Sequence, residues 1–237
     1  MPLTVYKVLS LACYGTLIDR DAGIATALRP LLATGRLTLT REEVLAAFGR
    51  HESEVLADRP VGPYAALLAE THRRLARDWG VICSEDDHRL FARSVGDWPV
   101  YPDVPGALQY LRRFFRLVVL SNADHESVAA SRRRLDGRFE AVFTPEDVGS
   151  YKPDRRNFEF LIARLERLGA TAGNTLHVAA SVPHDLTPAA AVGLGTAWVD
   201  RGRQSTAAAA DGAGSGCDYV FYSTADLVKA HQEQLRA

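Results

Sequence analysis

Four short stretches carry side chains able to hold and activate a small anion. They are Cys13-Tyr14-Gly15-Thr16, Ser121-Asn122, Tyr151-Lys152-Pro153-Asp154, and His177 to Ser181 with His184-Asp185 close behind. Hydroxyl and amide donors such as Ser121 and Asn122 suit a carboxylate, and a lysine such as Lys152 keeps one ionised and oriented through a charge-assisted bond. Taken singly, each stretch has an ordinary explanation. Thr16 reads as a turn residue, Ser121 and Asn122 as strand ends, Lys152 as a loop lysine, Asp185 as a helix cap and His177 as a packed histidine. Cys13 reads as a small buried residue, because no adjacent base would activate it.

The elements around these residues explain how they could meet. Val8, Leu9 and Leu11 form a short apolar run without helical period, which suits a strand buried on both faces and ending in a turn at Gly15-Thr16. Further strands are expected at Leu117–Ser121, Ala141–Phe143, Leu176–Ala180 and Thr196–Val199, with an edge strand at Tyr219–Tyr222. Helices between them, at Val104–Phe114 behind an Asp103 cap and at Asn157–Leu168, give the βαβ rhythm of a parallel sheet. Such a sheet gathers distant residues at its carboxyl edge. Four helices without a strand are expected between Ile18 and Asp97. The first is capped by Asp21 and runs to Ala33, with Gly35 just beyond. Thr40 with Glu43 and Ser84 with Asp87 open two others, and Tyr64, Leu67, Leu68, Leu75 and Trp79 follow helical spacing up to Gly80. The small-residue run Ala207–Gly216 is expected to be a surface loop.

Composition narrows the class. A chain of 237 residues, 47% hydrophobic, can bury a large core, and its formal net charge of −1 gives no reason to expect nucleic acid or membrane as a partner. Three cysteines without metal-type spacing point to a reducing cytoplasm. Neither a signal peptide nor a membrane span is visible.

The four stretches, in this order, resemble the motifs of the haloacid dehalogenase superfamily in its type II, L-2-haloacid dehalogenase-like branch. Cys13 to Leu17 match the first motif, Phe-Asp-x-Tyr-Gly-Thr-Leu, but Ala12 stands where the nucleophilic aspartate belongs. The resemblance implies a Rossmann-like core, residues 1–17 and 98–237, with an inserted all-helical cap at 18–97. It implies a hydrolase in which an aspartate at position 12 displaces a leaving group from carbon as an ester that water then opens. Ser121, Asn122 and the backbone after Ala12, at Cys13 and Tyr14, would bind the substrate carboxylate. Thr16 would fasten the loop, Lys152 would hold the nucleophile ionised, and Asp185 and Ser181 would position Lys152 or the hydrolytic water. Tyr14 stands where the superfamily's phosphatases carry a second aspartate, so a metal-free reaction without cofactor is expected. A phenol with a pKa near 10 is a poor acid at neutral pH.

Two departures complicate this resemblance. The cap arginine that receives a halide has Gly49 at its nominal place, with Arg50 one residue on, whereas Glu52 nearby suits a cation. Displacement of halide is therefore expected first, with opening of a ring nitrogen, as in azetidine-2-carboxylate, as the alternative. A superfamily phosphatase and a non-catalytic carboxylate-binding relative follow. Since the remaining motifs have not decayed, an engineered aspartate-to-alanine replacement is expected over natural loss. A homodimer is also expected from relatives, with the Tyr- and Leu-rich helix from Tyr64 as a candidate surface.

Overall fold

The computed structural model describes residues 1–58, 62–135, 138–167, 169–204 and 216–236, with backbone alone for 203 and 204. Six strands form one sheet: β1 Val8–Leu11, β2 Arg116–Leu120, β3 Ala141–Phe143, β4 Thr175–Ala179, β5 Gly195–Val199 and β6 Tyr219–Phe221. They lie in the order β3-β2-β1-β4-β5-β6, every pair parallel. β1 and β4 are buried along their full length, as two-sided burial of their Val/Leu/Ala-rich runs demands. The strand order reverses between β1 and β4, so a crevice opens beyond their carboxyl ends at the switch point of the sheet.

Eleven α-helices are described: α1 Arg20–Ala27, α2 Arg29–Gly35, α3 Arg41–Asp58, α4 Tyr64–Asp78, α5 Glu85–Arg93, α6 Val104–Leu111, α7 His125–Leu135, α8 Pro145–Val148, α9 Arg156–Glu166, α10 Thr187–Ala191 and α11 Thr224–Arg236. One face of the sheet packs Val8, Val118 and Leu120 against Phe158, Leu161 and Leu165 of α9. Leu9, Leu11, Val119 and Val178 join the larger core with Val104, Leu108 and Leu227.

The stretch from α1 to α5 contains five helices, not four, because Pro30 cannot continue the first one. α1 ends at Ala27 and α2 starts anew with the proline in its first turn. The cap of α1 is Asp19, whose carboxylate accepts the Ala22 N–H at 3.0 Å, and not Asp21. The left-handed residue after α2 is Arg36, and Gly35 belongs to the helix. Thr40 and Glu43 exchange both bonds of a capping box, as do Ser84 and Asp87. Tyr64, Leu67, Leu68 and Leu75 of α4 are buried within the chain and offer no exposed apolar face. The expected homodimer therefore rests on the resemblance alone.

The chain leaves for α1 and returns after α5 side by side. Asp19 N–H donates to Pro99 O at 2.7 Å, and Tyr101 N–H to Leu17 O at 3.1 Å. Asp103 precedes α6 without a side-chain capping bond. Its carboxylate instead accepts from Arg201 at 2.8 Å and from the N–H and hydroxyl of Thr224 at 2.7 and 2.6 Å. The run Ala207–Gly216, apart from Gly216 itself, lies outside the described residues. Among the described residues no helix is long and apolar enough to cross a membrane, and Cys13, Cys83 and Cys217 form no disulfide.

Candidate active site

The carboxyl end of β1 delivers Ala12 and Cys13 into a cavity of about 400 Å³. The end of β2 brings Ser121 and Asn122, the loop before α9 brings Lys152, and the segment after β4 brings Ser181, His184 and Asp185. Arg20 of α1, Gly49 and Glu52 of α3 and Tyr64 of α4 line the same space from the helical side.

At its base lies a buried ion pair. Lys152 Nζ donates to Asp185 Oδ1 at 2.5 Å and to Leu120 O at 2.8 Å. Asp185 also meets His177 Nε2 at 3.2 Å, and His177 Nδ1 lies 3.0 Å from Ser10 Oγ. Burial by itself would raise the Asp185 pKa. The Lys152 ammonium and the His177 contacts outweigh it and hold the carboxyl down at about 2. The same burial pushes His177 down against the pull of Asp185. Asp185 is thus a carboxylate bonded to Lys152 in the cavity that Ala12 also lines.

The other predicted residues divide into those facing the cavity and those tying it together. Ser121 Oγ accepts the Ala123 N–H at 3.0 Å, which leaves its own O–H to donate. Asn122 was expected to bind substrate, yet its amide clasps the backbone of Lys152. Nδ2 donates to Lys152 O at 2.9 Å and Oδ1 accepts from Lys152 N–H at 2.7 Å. This clasp spans the side of the cis Lys152-Pro153 peptide on which the lysine sits. Thr16 Oγ1 accepts the Ala180 N–H at 2.9 Å, tying the turn after β1 to the end of β4. Ser181 accepts the His184 N–H at 3.3 Å and lies 3.2 Å from its Nδ1, on a single π turn, Val182–Leu186. The Ser181 carbonyl accepts the Asp185 N–H at 3.1 Å, but among the described residues its hydroxyl reaches neither Lys152 nor the Asp185 carboxylate. Tyr14 donates its hydroxyl to Ser127 O at 3.0 Å and sits 2.9 Å from Ser131 Oγ, so it braces α7, and burial raises its pKa. Burial likewise pushes the Cys13 thiol up to about 12, partly countered by Lys152, which leaves it inert.

Arg50 does not reach the cavity. It is exposed on α3, while Gly49, Glu52, Ser53 and Leu56 face inward at positions one turn apart. The cation on the helical side is Arg20, which the sequence reading missed. It donates to Glu52 and lies 5.3 Å from the Phe48 ring centroid. Burial would lower its pKa, but Glu52 and Tyr64 keep it raised and charged. Only its place one turn past the first motif could have marked it. Tyr151 was noted as part of a motif; its hydroxyl donates to Gly62 O at 2.6 Å, joining the loop before α4 to the Lys152 loop.

A doubly wound sheet thus carries a buried lysine–aspartate pair in a cavity at the carboxyl end of its first strand, with helices lining the other side. The chain belongs to the haloacid dehalogenase-like hydrolase family, whose model matches residues 13–193. No curated protein matches it. Among solved structures it is similar to the defluorinating L-2-haloacid dehalogenase Rha0230, at 20% identity over 98% of this chain and 96% of that one, TM-score 0.78. It is also similar to the L-2-haloacid dehalogenase from Xanthobacter autotrophicus with chloropropionic acid covalently bound, at 18% identity over 96% and 98%, TM-score 0.72. The HAD hydrolase YfnB from Bacillus subtilis, bound to magnesium, aligns at 18% identity over 96% and 99%, TM-score 0.77. Likeness at these identities shows a common fold.

Proposed function

We propose that this pocket is built for displacement at an sp³ carbon of a small carboxylate through an aspartyl ester, and that the chain with Ala12 binds such a substrate without turning it over. The division into a core, 1–17 and 98–237, and a helical cap, 18–97, is part of the same proposal, as is a cytoplasmic setting. The observation that carries it is Lys152, buried and held by Asp185 and Leu120 O in a cavity that Ala12 also lines. An aspartate at position 12 would meet that ammonium and stay ionised for attack. The Ser121 O–H and the backbone N–H groups of Cys13 and Tyr14 would take the substrate carboxylate. Ser181 and His184, in contact with each other at the cavity wall, would hold the water that opens the ester. The helices above would exclude bulk water during displacement.

Magnesium-dependent phosphate transfer fits these residues poorly. Position 14 offers a phenol, and the Asp185 carboxylate is taken by Lys152 and His177. Among the described residues no three His, Cys, Asp or Glu are grouped to hold a metal. The choice of leaving group is narrowed by α3. Among the described residues Arg50 lies outside the cavity and the Arg20 guanidinium is already paired to Glu52, which favours the ring-nitrogen alternative.

The test is Ala12→Asp, followed by assays for chloride release from 2-chloropropionate, opening of azetidine-2-carboxylate, and phosphate release. Turnover of a small carboxylate by the aspartate form alone is the expected result. An aspartate form inactive on every carboxylate would leave a non-catalytic binding protein as the reading.

A further inference from the structure

We propose that Glu52, held by Arg20 through one oxygen, and the Tyr14–Tyr64 ring pair form a subsite for a nitrogen cation on the substrate, so that the cavity selects small zwitterions over simple carboxylates of the same length. The proposal rests on the carboxylate reading above and names the second head group.

Charge is the first argument. Among the described residues, the ionised side chains lining the cavity are Arg20 and Lys152 on one side of the balance and Asp21, Glu52 and Asp185 on the other. Lys152 is matched at close range by Asp185, and Arg20 by Glu52. Asp21 remains as excess, 3.6 Å from Arg20 Nη1. A ligand that brings only a carboxylate adds to a negative excess, whereas one that also brings an ammonium cancels it. Little water is available to mask the difference near Glu52, whose side chain is 16% exposed.

Geometry is the second. Glu52 spends Oε2 on Arg20, and among the described residues Oε1 has no hydrogen-bond partner, although a carboxylate oxygen can accept two bonds. One turn earlier on the same helix face, a Cβ placed at Gly49 would meet nothing within 4 Å, so there is space beside Glu52 for a head group. The aromatic surface is the third. Tyr14 and Tyr64 stack with centroids 6.1 Å apart and both line the cavity, and a ring face attracts an ammonium more than it does a halide or a second carboxylate.

Calorimetric titration of the protein as it stands, with Ala12, tests this without turnover. The probes are propanoate against 3-aminopropanoate and butanoate against 2- and 4-aminobutanoate. At least one amino acid is expected to bind tenfold or more tightly than its des-amino partner. Glu52→Gln should bring that ratio close to one, and Gly49→Arg, which fills the space with a cation, should reverse it. Circular dichroism establishes that both variants are folded. Equal affinities within every pair, or a preference that survives Glu52→Gln, would overturn the subsite while leaving the carboxylate pocket intact. Absence of binding by any probe would overturn both.

Discussion

Lys152 and Asp185 show what one buried pair can impose on a site. Each is about 5% exposed, and each would be costly to bury alone. Lys152→Met removes the partner and leaves a carboxylate in the interior facing only His177, so the fold should lose about 3–5 kcal/mol at pH 7. Adding Asp185→Asn removes the stranded charge and should recover most of that loss. Urea midpoints of the single and double variants decide it, and equal destabilisation of both would show that the pair is not what Lys152 supports. The pair also has a definite pH window. Because the folded Asp185 pKa is depressed to about 2, its contribution is complete above the ordinary carboxylate range and is lost as pH falls from about 4 towards 2.

Among the elements, α1 is the tightest fit. Gly23 lies against the face of Trp98, which is 2% exposed and donates its indole N–H to Ser94 Oγ at 3.1 Å. A methyl at Gly23 would overlap the root of the indole side chain, so the helix or the ring would have to shift. Gly23→Ala should therefore cost about 1–3 kcal/mol by overpacking, against the modest gain in helix propensity that alanine brings. The melting temperature should drop by several degrees, and a rise would show that α1 can shift away from Trp98. The connection matters to the site because α1 carries Arg20 into the cavity. Asp124 plays a related part between elements. Its Oδ1 accepts the Ser127 N–H of α7 at 2.8 Å, and its Oδ2 the Ala65 N–H of α4 at 3.3 Å, so one carboxylate caps helices from both sides of the cavity.

For the molecule as a whole, acid sensitivity follows from its buried histidines. His72 of α4 and His88 of α5 place Nδ1 against Nδ1 at 2.7 Å, a contact in which one ring must donate and the other accept. Burial and the neighbouring His88 push His72 down to about 4, and burial lowers His88 and His231 as well. Between pH 6.5 and about 4, the unfolded chain binds protons that the folded chain refuses, so stability decreases as pH falls. His72 alone should account for about 2 kcal/mol between pH 7.5 and 5. Urea unfolding at the two values measures the slope, and His72→Phe, which keeps the ring packed on Phe91, should flatten it.

What the sequence determined by itself is local in origin. Two-sided apolar runs marked the strands, capping boxes at Thr40 and Ser84 marked helix starts, and four motifs in order marked Ala12 and Ser121 at strand ends, Lys152 before α9 and Asp185 in the turn after β4. Each of these signals is carried by hydrogen bonds and burial within a few neighbouring residues. Tertiary structure alone decided which partner a polar side chain takes. Asp103 looked like a cap until Arg201, 98 residues away, claimed its carboxylate, and Asn122 looked like a substrate ligand until it closed on Lys152. On α3 the outcome turned on one step of about 100° around the axis, from Gly49, which lines the cavity as Glu52 does one turn on, to Arg50, which faces solvent. That rotation depends on how Val44, Phe48 and Val55 pack into the larger core, and no local pattern specifies it to within one residue.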